Sequence, residues 1–201
     1  MRIAALSCVL LAACSQAPQP PEPPVQDRAT PIPFSEEDLA GARLAAATLG
    51  AALKGELQAA MQSGGAVAGI AVCKEAAPVL AVNVSDETGF TVARTALRVR
   101  NPANAPDGFE RETLEDFVAR AAAGEPLDTL EVHAVIDGEL RYMKAIPMGA
   151  MCATCHGTDI APEVSAELAS AYPDDRATGF VPGEVRGAFT LRRPIGEAVN
   201  P

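Results

Sequence analysis

Apolar residues recur at helical spacing along the first part of the chain, at Leu39, Leu49, Leu53, Leu57 and Met61, with alanines between them. That period is the signature of one buried helix face. Ser35 precedes the run as a good N-cap, and Glu36, Glu37 and Asp38 fall in the first turn, where the positive helix end favours acids. Ser63-Gly64-Gly65 is a stop signal, so the pattern predicts one helix of about 27 residues. Such a length suits packing along a whole domain or along a second copy of the chain. From Ala66 to Val82 two readings compete. Val67, Ile70, Val72, Val79 and Val82 could make strands, but Ile70, Cys73 and Ala77 fall on one helical face, which favours a helix that Pro78 caps or kinks. Gly89 to Ala93 reads as a strand. Leu97 to Pro102 leads into a loop at Ala103 to Gly108, and Glu110 to Ala123 reads as a helix with Leu114, Phe117 and Val118 inward, closed by Gly124.

The last third changes period. Leu130 to Ile136 partly alternates, Asp137-Gly138 is a strong hairpin turn, and Leu140 to Ile146 returns. Glu163 to Ala171 follows Pro162 as a short helix, and Gly187 to Leu191 is a closing strand. The sum is an α+β domain: a central antiparallel sheet of three or more strands flanked by helices, preceded by the long N-terminal helix.

The N-terminus falls outside this pattern. Met1 to Ala13 reads as a leader, with Arg2 as a minimal positive region and Ile3 to Leu11 as a short apolar core. Leu11-Ala12-Ala13-Cys14 resembles the lipobox of bacterial lipoproteins, which makes Cys14 the lipidated first residue of the mature chain. Residues 14–34 then form a tether. Seven of the 17 prolines lie between Ala17 and Pro33, a composition that favours extended polyproline II and buries no core. Residues 35–201 form the domain. No other segment reads as a membrane span, so membrane contact is expected through the N-terminal lipid alone. By resemblance to enterobacterial lipoprotein sorting, Ser15 after the lipidated Cys favours the outer over the inner membrane, and the domain is expected in the periplasm. The formal net charge of -10 argues against nucleic acid and suits a basic partner protein. Aromatic content is 4 % with no Trp, so packing rests on aliphatic residues and on any cofactor.

The candidate chemistry lies in Cys152-Ala153-Thr154-Cys155-His156. C-x-x-C-H is the spacing of c-type haem attachment, in which two thiols form thioethers and the following His ligates the iron from the proximal side. A thioredoxin-like pair would need a βαβ context that is missing here. A zinc site using Cys73 and a His is allowed by ligand count. Export favours the haem reading, with one haem c per chain because the motif occurs once. With Cys8, Cys14, Cys152 and Cys155 accounted for, Cys73 has no cysteine to pair with in an oxidising compartment. Such a thiol is buried packing or a ligand.

Gly69 to Pro78, Arg98 to Pro106, Arg141 to Pro147, Cys152 to Gly157 and Tyr172 to Gly179 together resemble the PAS-like single-haem c domains of bacteria, over about Ser35 to Pro194. The resemblance implies a PAS-like sheet with haem against it, unlike the all-helical small cytochromes c. It also implies His156 and Cys73 as the two axial ligands. His133, Met143, Met148 and Met151 are the other side chains able to ligate iron. Arg98, Arg100 and Arg176, with Arg141 and Lys144, are the basic residues of the matched stretches and candidates for the haem propionates. On this reading the protein carries single electrons or senses redox state or a diatomic gas, acting on a redox partner or a separate signalling protein. A peroxidase-type enzyme and a zinc-stabilised module are the alternatives. No Ser/His/Asp set, phosphate loop or carboxylate cluster stands out, so no enzyme activity is expected apart from the haem. A homodimer through the N-terminal helix would fit that helix's length.

Overall fold

The computed structural model describes residues 34–195. The leader, Cys14 and all of the tether before Phe34 lie outside the described residues. Helix α1 (Glu36–Ala71) opens on the expected cap: the Asp38 N–H donates to Ser35 Oγ at 3.0 Å, and the Ser35 N–H donates back to the Asp38 carboxylate at 3.1 Å. The predicted stop at Gly64-Gly65 is a reversal rather than an end. Gly65 adopts φ 71° and ψ -167° and helical geometry resumes at once. The second arm folds back on the first, because a Cβ on Gly69 would meet Leu57 Cδ1 at 2.9 Å and Met61 Cγ at 3.3 Å. In an unbroken helix, residues 12 apart would lie about 18 Å apart along the axis.

The helix reading of Ala66 to Val82 holds, with a difference. Val72–Ala76 is a π-helical turn, and α2 (Ala77–Thr88) runs on from it with Pro78 in its first turn, where no N–H is needed. Gly89 in the left-handed region (φ 69°) ends α2. By length and composition the helical stretch Glu36–Thr88 qualifies as a membrane span, with an 18-residue window of mean hydropathy 1.6, contrary to the sequence expectation. The reversal at Gly65 divides it, and Leu39, Ala42, Ala45, Ala46 and Leu49 are buried in the domain core.

Strand β1 (Thr91–Thr95) lies two residues later than predicted. A 3-10 turn at Pro102–Asn104 precedes α3 (Gly108–Ala122), which Asp107 and Glu110 start as a capping box. Val118 is 45 % exposed, so the inward face of α3 is Leu114 and Phe117 without it. Strands β2 (Glu131–Ile136) and β3 (Glu139–Pro147) pair across the two-residue turn Asp137-Gly138, with φ of 51° and 79°. The one-turn helix α4 (Ala153–His156), helix α5 (Pro162–Ala171) and strand β4 (Val185–Pro194) complete the chain. The sheet is antiparallel, in the order β1-β4-β3-β2. Its alternating side chains fill two cores. Tyr142 and Leu191 join Leu39, Leu49, Val84 and Phe90 under α1 and α2, while Met143, Ala145 and Ala188 join Leu114 and Phe117 under α3. The domain is α+β.

Candidate functional site

A cavity of about 440 Å³ opens between the reversed arm of α1, the π-helical turn, the β1–β4 end of the sheet and α4. It lies within the range of roughly 300–1,000 Å³ usual for ligand sites. Its wall is mostly apolar, with Leu57, Met61, Ile70 and Val99 among the lining residues. Cys73, Cys152, Cys155 and His156 all line it. Cys73 reaches it from the π-helical turn, an insertion in helical geometry that often marks a functional site.

Helix α4 is held by a later segment of chain. The His156 N–H donates to the Cys152 carbonyl at 2.9 Å, and the Gly157 N–H donates to the Ala153 carbonyl at 2.9 Å. A Cβ on Gly157 would stand 2.5 Å from that Ala153 oxygen, so the turn out of the motif requires glycine. The Gly179 N–H donates to the Gly157 carbonyl and the Phe180 N–H to the His156 carbonyl, at 2.8 and 2.9 Å. Buried Arg100 ties the two segments together. Its Nε donates to Asp175 Oδ2 at 2.9 Å and its Nη2 donates to the Cys155 carbonyl at 2.5 Å. Asp175 in turn accepts from the Ala177 N–H at 2.7 Å. His156 Nδ1 lies 2.6 Å from the Ala177 carbonyl. A carbonyl only accepts, so Nδ1 carries the proton and Nε2 keeps its lone pair. Arg186 Nε is also 3.2 Å from Nδ1. The shorter contact to oxygen decides the tautomer.

The model of the Tll0287-like family matches residues 24–194. The chain belongs to the Tll0287-like family. The match takes in the whole described cavity, from Leu57 to Gly187. The fold is similar to the crystal structure of the cyanobacterial haem protein Tll0287, with a TM-score of 0.64 and 22 % identity, covering 82 % of this chain and 99 % of that one. No curated protein matches the chain.

In this Tll0287-like chain, several residues singled out from the sequence lie away from the cavity. Arg98 stacks on Phe180, 3.5 Å from the ring centre, and donates to the Thr178 carbonyl. Arg176 is exposed and outside the lining. Arg141 is buried beside Asp107 and Glu110 under α3, and Lys144 turns to Glu131 and the Asp128 carbonyl. None of these four, expected from the sequence as propionate partners, is among the residues lining the cavity. Met143 is fully buried in the α3-side core and Met148 packs on Ala177 and Phe180, so neither lines the cavity. His133 is exposed on β2, its ring 5.0 Å from that of Phe34. Met151 does line the cavity.

The sequence reading missed Arg94 and Arg186. Arg94 falls on the same face of β1 as buried Val92, a signal that was available in the alternation. Arg186 lies on β4 just ahead of the predicted strand. Together with Arg100 they make the cavity electropositive. Burial, then Arg186 and Arg100, push the His156 imidazole down to about 3, against the pull of the Ala177 hydrogen bond. The ring is neutral at physiological pH, the form that ligates a metal. Burial, then Arg100 and Arg94, lower Arg186 to about 10, and burial lowers Arg94. Burial raises the Cys155 thiol.

Proposed function

We propose that the chain binds one haem c and serves in one-electron transfer or redox sensing, in a PAS-like domain held in the periplasm by lipid on Cys14. The observation that carries this reading is the arrangement of His156. The ring follows Cys152 and Cys155 in C-x-x-C-H, its Nδ1 proton is committed to the Ala177 carbonyl, and its free nitrogen belongs to a group lining an apolar cavity. A backbone partner that fixes the tautomer is the usual support of a metal-ligating His. The residues fit the group. Cys152 and Cys155 would hold it covalently, and His156 and Cys73 would ligate its iron. When bound, haem supplies an iron that changes charge by one electron. The protein's part is to exclude water with the apolar wall, to hold the imidazole neutral and to place Cys73. The Tll0287 structure, a haem protein of the same fold, supports the reading.

One observation bears on sensing: Cys73 sits in a π-helical turn, an irregularity of helical geometry frequent at functional sites. The partner would be a basic redox protein or a separate signalling protein, and the domain's acidity suits the former. The zinc alternative lacks a ligand set, since no group of three or more His, Cys, Asp or Glu side chains able to hold a metal occurs among the described residues. The test is protein matured in a periplasm with haem-attachment machinery. A single haem adduct retained after denaturation, in the mass spectrum, is the expected result. An unmodified chain overturns the proposal.

A further inference from the structure

The arginines of the domain divide by what they pair with. Arg43, Arg98, Arg120, Arg141, Arg192 and Arg193 each reach a carboxylate of this chain, and Arg100 in the cavity wall reaches Asp175. Arg111 and Arg176 face water. Arg94 and Arg186 remain. Both are half-buried and both line the cavity. Neither has a carboxylate within salt-bridge distance among the described residues, and no acidic residue is among those lining the cavity. In a chain of net charge -10, two cations lining one cavity without a salt-bridge partner are exceptional. A guanidinium taken from water costs free energy unless an anion compensates it.

The two positions lie on paired strands. Arg94 on β1 stands opposite Phe189 of β4, three residues along from Arg186, so both fall toward the same end of the sheet and line the same cavity. Arg186 Nη1 donates to the Arg98 carbonyl at 3.3 Å; its Nε finds no acceptor in His156 Nδ1, whose proton goes to the Ala177 carbonyl, and Nη2 is uncommitted. Gly187, next to Arg186, keeps the two strands close, since a Cβ there would stand 2.5 Å from the Thr95 carbonyl oxygen. We propose that Arg94 and Arg186 are the seat of the carboxylates of the bound group, so that the cavity selects a dianionic ligand. This rests on the haem reading above, in which those carboxylates are the propionates. A planar guanidinium matches a carboxylate through paired N–H donors, which an ammonium does not.

The full chain, matured with its haem, is compared as wild type, Arg94→Gln, Arg186→Gln and the corresponding Lys variants. The mass spectrum of the wild type is read first; a chain without haem overturns the haem reading and this assignment with it. With haem in place, both Gln variants are expected to keep the adduct, to shift the propionate-bending bands of the resonance Raman spectrum, and to lower the reduction potential. The potential falls because ferric haem carries one more positive charge than ferrous and gains most when a nearby cation is removed. Lys variants should restore most of the potential while the bands stay shifted. Wild-type bands and potential in both Gln variants overturn the assignment while leaving the haem reading intact. Should a Gln variant fail to fold, unchanged bands in its Lys counterpart overturn it equally. A larger shift from Arg98→Gln or Arg176→Gln than from either cavity arginine also overturns it.

Discussion

Arg100 spends its guanidinium on Asp175 and on the Cys155 carbonyl, with the Ala177 carbonyl at 3.4 Å. Side-chain exposures of 8 % and 10 % put the Arg100–Asp175 pair out of water. Removing one partner of a buried pair strands the other charge, at a cost of about 3–5 kcal/mol. Arg100→Leu should therefore lower unfolding free energy by roughly that amount in urea titration, and adding Asp175→Leu should return part of it. Cys73 is the other residue on which a single change is decisive. On the proposed ligation, Cys73→Ala keeps the covalent haem, alters the ferric electron paramagnetic resonance spectrum, and raises the potential because a thiolate favours ferric iron. Coincident spectra would reduce Cys73 to packing and leave Met151, which lines the same cavity, as the ligand to test. Glu131 supplies a pH dependence. Its hydrogen bond from Arg43 lowers its pKa from the ordinary 4.5, against burial, and the Tyr142 hydroxyl adds to the effect at 2.9 Å. That stabilisation is complete above the ordinary value and is lost as pH falls through the lowered one. Glu131→Gln should flatten the stability profile in that acid window, measured by denaturant titration across pH.

At the scale of elements, Gly65 makes the sharpest prediction. Its φ of 71° with ψ near -167° is a region nearly confined to glycine. Gly65→Ala should cost about 1–3 kcal/mol. Gly55, in the first arm with open space around its Cβ position, should by contrast gain about 0.5–1 kcal/mol as alanine. Both are read from denaturant midpoints. Elements whose cause is local were legible in the sequence. The Ser35 cap, the Asp137-Gly138 turn and the Gly64-Gly65 break depend on neighbours in the chain, and their residues announce them; the Asp107 cap that starts α3 two residues before the expected Glu110 was open to the same reading. What depended on distant partners was not. Two consecutive glycines cannot say whether the next arm leaves or folds back. Val118 belongs to an apolar triplet with Leu114 and Phe117 in sequence, yet faces outward. The π-helical turn at Val72–Ala76 leaves no mark in the spacing, because Ile70, Cys73 and Ala77 fit an ordinary helix face as well.

At the scale of the whole molecule, helices cover both faces of one sheet, and the cavity occupies the end where β1, the two helical arms and α4 meet. The thiols and the imidazole of the motif were legible because they lie within five consecutive residues. The cations were not, because Arg94 and Arg186 come from strands 92 residues apart in sequence that only the sheet order brings together. Charge is divided on the same scale. The chain as a whole is acidic, while its cavity holds three guanidinium groups, so an anionic ligand gains from entering and a basic partner from docking outside. The proposed anchor also acts on the whole molecule: Cys14→Ala should leave the protein in the soluble fraction or unprocessed, read by membrane fractionation and mass. Unchanged processing and membrane association would remove the lipid proposal alone.

The place of β4 in the sheet has one more consequence. It is the last of the described strands, yet it stands second in spatial order, between β1 and β3. Asp175, Ala177 and Phe180, which clamp α4, also come after the motif they hold. A chain emerging N-terminus first, from a ribosome or across a membrane, therefore presents Cys152 and Cys155 before either the clamp or β4. Until Ala188–Arg192 have emerged, β1 lacks its β4 partner strand, and α4 lacks its clamp. An attachment enzyme would meet an extended pentapeptide rather than a finished pocket, and completion of the final strand would close the domain around whatever those thiols had by then acquired.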